Sequence, residues 1–304
     1  MSLCTLCPRS CAVDRSVQAG ACGCTDEIKL SRVMLHKWEE PCICTGEGSG
    51  AVFFCGCPLG CVYCQNGDIS KRSKNGTYAG EKSYTEAELA DEFLRLQQKG
   101  ACNIDLVSPT QYTTQIIKAV SAARTRGLSL PIVWNTGGYE TVENIQRLSG
   151  TVDVYLTDIK YFDYELSGAL SYAPDYFECA FSALLEMTSQ LGKPTFEHGA
   201  LKRGVIVRHL VLPGCRRDSE AVLKKLAEAG LADKVVLSLM SQYTPEFFRG
   251  CADEKLAHFM KRRVTSFEYD SVSDLAHRLG FTGYGQERSS AATDYTPAWG
   301  IFEY

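Results

Sequence analysis

From residue 50 to residue 262 the chain alternates short β-branched runs with helical stretches, and this alternation restricts the fold more than any other feature. The candidate strands are Ala51–Cys55, Ile104–Val107, Ile132–Trp134, Val152–Leu156, Val205–Leu210 and Val235–Leu239. Each is short and apolar, as strands covered on both faces are. Helical stretches fall near 86–99, 113–126, 140–149, 174–191, 219–230 and 253–262. The first opens on Thr85-Glu86-Ala87-Glu88, a capping box ahead of an apolar stripe at Leu89, Phe93 and Leu96. Six strand–helix units in series predict a parallel sheet with right-handed crossovers. Curled, that is an α/β fold, a partial (β/α)6 TIM-like barrel, with its chemistry at the C-terminal ends of the strands.

Cysteine usage divides the chain a second way. There are 15 cysteines in 304 residues. Eleven precede residue 65 (Cys4, Cys7, Cys11, Cys22, Cys24, Cys42, Cys44, Cys55, Cys57, Cys61 and Cys64), and the other four are scattered downstream. An odd number in a chain able to build a large core speaks against a secreted disulfide scaffold. The first 30 residues hold no apolar core of signal-peptide length, and no run approaches about 18 apolar residues. A soluble, cytoplasmic protein is therefore expected, in which dense cysteine means metal or redox chemistry. The net charge of −4 gives no reason to expect a nucleic-acid or membrane-surface partner held by bulk charge.

The expected organisation is a cysteine-rich metal-binding segment at 1–45, a barrel at 46–265, and an extension at 266–304 packing on the barrel. Its aromatic tail, Tyr295 to Tyr304, is expected to cross one barrel end. The polar stretch Ser70 to Ser83 reads as a mobile loop.

Directly after the first candidate strand comes Cys57-Pro58-Leu59-Gly60-Cys61-Val62-Tyr63-Cys64. Three thiolates spaced x3 and x2 suit one loop around a single [4Fe–4S] cube. A closed zinc site wants four protein ligands. Three cysteines leave one iron open for chemistry, and Gly60 is expected to permit the tight turn. A second set, Cys4-x2-Cys7-x3-Cys11-x10-Cys22, suits either a structural zinc knuckle or an auxiliary iron–sulfur cluster. Cys24, Cys42, Cys44 and Cys55 read either as further ligands or as small buried hydrophobes.

The Cys57-x3-Cys61-x2-Cys64 loop, with an aromatic before its last cysteine, resembles the signature of the radical S-adenosylmethionine (SAM) enzymes. The runs Leu35 to Pro41, Gly48 to Gly50, Cys64 to Asn66, Asn135 to Tyr139, Asp158 to Tyr161, Arg208 to Gly214 and Gln286 to Ser290 resemble the pyruvate formate-lyase activating enzyme-like (PflX-type) branch. The likeness covers nearly the whole chain. It implies a radical SAM core in which Cys57, Cys61 and Cys64 hold a [4Fe–4S] cluster and SAM binds the fourth iron. By the same resemblance Tyr63 lies against the adenine and Asp158, Lys160 and Arg208 face SAM. Lys and Arg match a carboxylate, and Arg can grip it in bidentate fashion. Asn135, ending the third strand, is a further candidate contact.

The implied activity is reductive cleavage of SAM to start radical chemistry, extending to activation of a glycyl-radical enzyme, a protein substrate. A reductant such as flavodoxin or ferredoxin would supply the electron. Where the family often carries a Gly-Gly-Glu-type segment for the SAM amine, this chain has Val107-Ser108-Pro109-Thr110-Gln111, with Ser108, Thr110 or Gln111 to offer oxygens. A reading from another class is a non-catalytic zinc or iron–sulfur binding protein. His36 and His209 read as structural histidines. Tyr112, Tyr139 and Tyr161, and the run Met240 to Tyr243, are expected around the pocket.

Overall fold

All six expected strands form, in a computed structural model that describes residues 3–285. The elements run β1 (Ile28–His36), β2 (Ser49–Phe54), α1 (Gly67–Ser70), β3 (Lys82–Tyr84), α2 (Glu86–Gln98), β4 (Ile104–Val107), α3 (Thr113–Thr125), β5 (Ile132–Thr136), α4 (Val142–Arg147) and β6 (Val154–Asp158). They continue with α5 (Tyr164–Ser171), α6 (Tyr176–Leu191), β7 (Thr195–Glu197), β8 (Ala200–Leu210), α7 (Arg216–Glu228), β9 (Val235–Met240), α8 (Glu254–Phe259), α9 (Ser266–Arg278) and β10 (Gly283–Gly285). The barrel strands β2, β4, β5, β6, β8 and β9 pair side by side and all in parallel. β10 extends this sheet beyond β9, while β1 and then β3 extend it antiparallel beyond β2. The sheet ends on β3 and β10 and is not closed, which makes it a partial barrel.

Pleating sends alternate residues to two cores. Outward, Val52, Phe54, Leu106, Trp134, Tyr155, Val205, Val207 and Leu237 pack with the apolar stripes of the helices. Inward, Val133, Val154, Leu156, Ile206 and Val236 meet Cys42 and Ile43, delivered by the loop after β1. That loop is tied to the N-terminal ends of the strands. Asn103 donates to the Ile43 carbonyl at 2.6 Å, and the Leu201 amide to Cys42 at 2.8 Å. Cys42 is therefore a floor residue of the barrel, and Cys44 lies near the His36 carbonyl at 3.5 Å. Cys42 serves the core as a small hydrophobe does, while Cys44 is half-buried.

Three expectations change. β1 lies within the 1–45 segment yet belongs to the barrel sheet. Its buried Ser31, Arg32 and His36 break the apolar signature that marks the other strands. The stretch from Ser70 to Ser83 is not all loop, because Tyr78 is buried and Glu81 pairs with Lys29 at 2.9 Å. α9 begins with a Thr265–Glu268 capping box of the same kind as α2, a signal present in the sequence but not used. The tail from Gln286 to Tyr304 lies outside the described residues.

Glu268 ties α9 to the turn after β8. It accepts from the Gly214 amide at 2.8 Å, the Thr265 amide at 2.9 Å and the Arg262 guanidinium at 2.7 and 2.8 Å. Burial works against its charge, but these donors win and hold its carboxyl down at about 2. A depressed folded pKa stabilises above the unfolded value, and that stabilisation is lost as pH falls through the folded one. Glu268→Gln is expected to lower unfolding free energy by about 2 kcal/mol at neutral pH. In parallel denaturation series the gap from the parent should close between about pH 4.5 and about pH 2.

Candidate active site

The loop from Cys57 to Cys64 leaves the C-terminal end of β2 and is pinned from several sides. Arg9 donates to the Pro58 carbonyl at 2.8 Å and Lys71 to the Gly60 carbonyl at 3.0 Å. The Val62 amide donates to Leu170 at the end of α5 (2.9 Å), and the Arg249 amide to Val62 (2.8 Å). Gly60 is required for close approach and not for a positive φ. A Cβ there would sit 2.9 Å from Cδ2 of Tyr172. Tyr172 itself is left-handed, at φ 53, where it stops α5.

The three thiols lie close enough to oppose one another's ionisation. Burial pushes the Cys57 and Cys64 thiols up, and the neighbouring cysteines add to that. The Lys160 ammonium pulls both the other way. Among the described residues no three Cys, His, Asp or Glu side chains stand ready to hold a single metal ion. A cube takes each thiolate on a separate iron, so its ligands ring it and need not converge on a point. Three partly buried cysteines on one loop beside a fixed cation fit such a group, because a metal would neutralise the thiolates that bind it.

Next to Cys57 an enclosed cavity of about 10 Å³ is lined by Leu59, Ser108, Thr110, Thr136, Gly137 and Tyr139, among others. Ser108 is at φ 56, a left-handed position that costs a non-glycine residue roughly 1–3 kcal/mol and recurs at functional sites. Its amide donates to Asn135 at 2.9 Å. Thr110 is committed to Glu140 at 2.6 Å, and the Gln111 amide group to the carbonyls of Cys55, Gly56 and Ser108. Of the three side chains expected to replace the Gly-Gly-Glu-type segment, Ser108 and Thr110 line the cavity beside Cys57, and Ser108 has no side-chain hydrogen bond among the described residues.

Asn135, Asp158, Lys160 and Arg208 form one network at the strand ends. Arg208 donates from Nε to Asp158 Oδ1 at 2.8 Å and from Nη2 to Asn135 Oδ1 at 2.6 Å. Lys160 pairs with the other oxygen of Asp158. Burial disfavours the Asp158 charge, but Lys160 and Arg208 outweigh it and hold the carboxyl low. Gly138 keeps this packing possible, since a Cβ there would run into the Asp158 carbonyl. Tyr63 stands apart from the network. Its hydroxyl is 2.5 Å from that of Tyr161, and its ring meets Tyr243 edge-on with centroids 5.9 Å apart.

Glu39 and Glu40, which fall in the Leu35 to Pro41 run, and Asp105 extend the network inward, and none of the three was expected at the site. Glu39 lies 3.8 Å from Arg208 and 3.8 Å from His36. Burial pushes all three carboxyls up, Asp105 most clearly. Asp105 accepts from Asn135 at 3.3 Å and also meets the Glu39 carboxyl, and Glu40 meets Ser238. Glu140 was also missed. It is fully buried and collects hydroxyl, indole and amide donors from Thr110, Thr136, Trp134 and Asn144. His209 is buried and pushed down to about 4, so its neutral ring donates from Nδ1 to Ile159 at 2.6 Å, a structural role.

Cys4, Cys7, Cys11 and Cys22 line one small enclosed cavity with Arg15, Pro58, Thr110 and Gln111. Two of these residues, Pro58 and Thr110, also line the cavity beside Cys57. Cys24 and Cys55 are core residues. Cys24 bonds the Cys55 carbonyl at 3.2 Å and lies 3.3 Å from the Tyr78 hydroxyl. A wide groove of about 780 Å³ opens at the same barrel end, between the turns after β6 and β8 and the start of α9, with Phe162, Arg216, Lys255 and Phe267 on its walls. No helix among the described residues is long and apolar enough to cross a membrane.

No family model matches the chain. The uncharacterized protein MJ0674 of Methanocaldococcus jannaschii is 31% identical over 278 residues, covering 90% of this chain and 74% of that protein. Among solved structures, a radical SAM methyltransferase from Sphaerobacter thermophilus superposes with a TM-score of 0.50 at 16% identity, over 78% of this chain and 66% of that one. A spore photoproduct lyase aligns over 76% of this chain with a TM-score of 0.48. The open parallel sheet thus shares the fold of the radical SAM methyltransferase, and the chain belongs to the same family as MJ0674.

Proposed function

We propose that the protein is a radical SAM enzyme. The observation that carries this reading is the placement of Cys57, Cys61 and Cys64 on one pinned loop at the end of the first barrel strand, with Lys160 acting on the sulfurs. These three cysteines would hold a [4Fe–4S] cluster. When bound and reduced, the cluster supplies the electron that opens a carbon–sulfur bond of SAM.

The protein's part is binding, orientation and exclusion of water. Lys160 and Arg208 present fixed positive charge for the methionyl carboxylate, and Asp158 keeps both cations charged and aimed. Ser108 offers an oxygen to the methionyl amine from a strained turn beside Cys57. Asn135 fixes the Arg208 guanidinium plane, and Tyr63 forms part of the wall behind the loop. The barrel floor of Cys42 and Ile43 closes the opposite end to solvent.

The PflX-type resemblance names the first substrate to try, a glycyl-radical protein, with flavodoxin or ferredoxin as electron donor in the cytoplasm. The wide groove at the catalytic end supports a protein partner. Cys4, Cys7, Cys11 and Cys22 are carried as a second metal site, zinc or iron–sulfur, on their shared cavity. The division into a metal-binding segment, a barrel and an extension is kept, with β1 joining the barrel sheet.

Reconstitution with iron and sulfide without oxygen, followed by dithionite and SAM, should yield a SAM fragment such as 5′-deoxyadenosine. The Cys57→Ala, Cys61→Ala, Cys64→Ala triple variant should yield none. An intact, reduced cluster that leaves SAM uncleaved would instead favour a non-catalytic iron–sulfur protein. The metal retained by the triple variant, zinc or iron, reports the N-terminal site.

Lys160→Met leaves Asp158 paired to Arg208, so the fold should hold. SAM binding to the loaded protein should weaken by about tenfold, the worth of one charge-assisted contact. Equilibrium binding measured by calorimetry checks this, and unchanged affinity would remove Lys160 from the SAM site.

A further inference from the structure

One of the three sulfurs is approached by a hydroxyl from outside its own loop. Ser171 Oγ lies 2.9 Å from Cys61 Sγ and 2.8 Å from the Tyr161 hydroxyl. The Tyr161 hydroxyl in turn lies 2.5 Å from that of Tyr63. Ser171 and Tyr161 are completely buried and Tyr63 nearly so.

The direction of the chain follows from proton counting. A metal-bound thiolate accepts and cannot donate. Ser171 must then spend its single proton on Cys61, so its oxygen accepts from Tyr161, whose oxygen accepts from Tyr63. Three hydroxyls thus point one way and end on one sulfur, each polarising the next. Cys64 has a weaker counterpart, Ser70 at 3.7 Å.

The chain is held in place by the contacts that pin the loop. Leu170, one residue earlier on α5, accepts from the Val62 amide at 2.9 Å. Arg9 donates to the Ser171 carbonyl at 3.3 Å and also to that of Tyr172. The end of α5 therefore cannot slide without disturbing the cysteine loop.

We propose that the Tyr63–Tyr161–Ser171 chain sets the reduction potential of the cluster held by Cys57, Cys61 and Cys64. The inference rests on the cluster assignment above and adds a role for three residues. A hydrogen bond to a ligand sulfur stabilises the more negative, reduced state, so the chain makes the cluster easier to reduce. The tuned step is a one-electron reduction by an external donor, with no bond formed or broken in the protein. Ser171 is a positioning residue that acts through Cys61. Tyr63 belongs to it as the outermost donor.

The test is a redox titration of the full-length, reconstituted chain without SAM, followed by electron paramagnetic resonance, with iron content measured for each variant. In Ser171→Ala the ratio of reduced to oxidised cluster at the parent midpoint should fall about tenfold, equivalent to about 59 mV for one electron. Tyr161→Phe should fall in the same direction by less, and Ser171→Thr, which keeps the hydroxyl, should return close to the parent. An iron-loaded Ser171→Ala variant that titrates on the parent curve overturns the proposal. If that variant fails to hold iron, Tyr161→Phe decides, because it leaves Ser171 in place. A parent-like curve there overturns the proposal, and a fall supports it. A parent chain that binds no iron at this loop overturns the cluster assignment and the proposal with it.

Discussion

Pinning of the Cys57–Cys64 loop is the constraint on which the rest of the structure depends. Hydrogen bonds reach it from Arg9 in the N-terminal segment, from Lys71 after α1, from the end of α5, and from Arg249 beyond β9. Four distant parts of the chain converge on eight residues that have no secondary structure of their own. The loop packs Leu59, Val62 and Tyr63 into the core while its three cysteines stay partly exposed. It is retained in one shape because the barrel end and α5 over-determine it. That convergence explains why the N-terminal segment packs where it does, and why its four cysteines share a cavity wall with the Cys57–Cys64 loop.

Charge in the barrel end obeys the same logic. Arg208 and Lys160 are held in a layer that also contains Asp158, Glu39, Glu40 and Asp105. Such groups survive burial only as a mutually compensated set, and removing one partner exposes the others' desolvation cost. Asp158 is kept ionised by its two cations, whereas Asp105 is pushed toward its neutral form. The network is therefore preorganised around fixed positive charge near the thiols, with a carboxyl pushed toward its neutral form deeper in the barrel. Preorganised charge of this kind needs no rearrangement when an anionic group arrives.

Much of this was legible in the sequence, for identifiable reasons. The six barrel strands could be read because strands covered on both faces must be continuous and apolar. Their parallel arrangement was expected from six strand–helix units in series. The cysteine loop could be picked out because three cysteines stand within eight residues, and the fold keeps them on one loop at the end of β2. β1 could not, since Arg32 and His36 face a polar interior and break the pattern. Glu39, Glu40 and Asp105 carry no spacing signal at all and become a group only when the loop after β1 enters the barrel. Gly60 was assigned to the right position for the wrong reason. Sequence shows that a glycine is there, but only packing shows that the Tyr172 ring needs the space.

The central claim is that Cys57, Cys61 and Cys64 hold a cluster whose remaining iron is open to SAM. Electron paramagnetic resonance of the reduced, reconstituted protein before and after SAM is added tests it most directly. The account predicts a cluster signal that changes on adding SAM and is lost in the variant lacking the three cysteines. A cluster signal that SAM leaves untouched, or that persists without those cysteines, would contradict it.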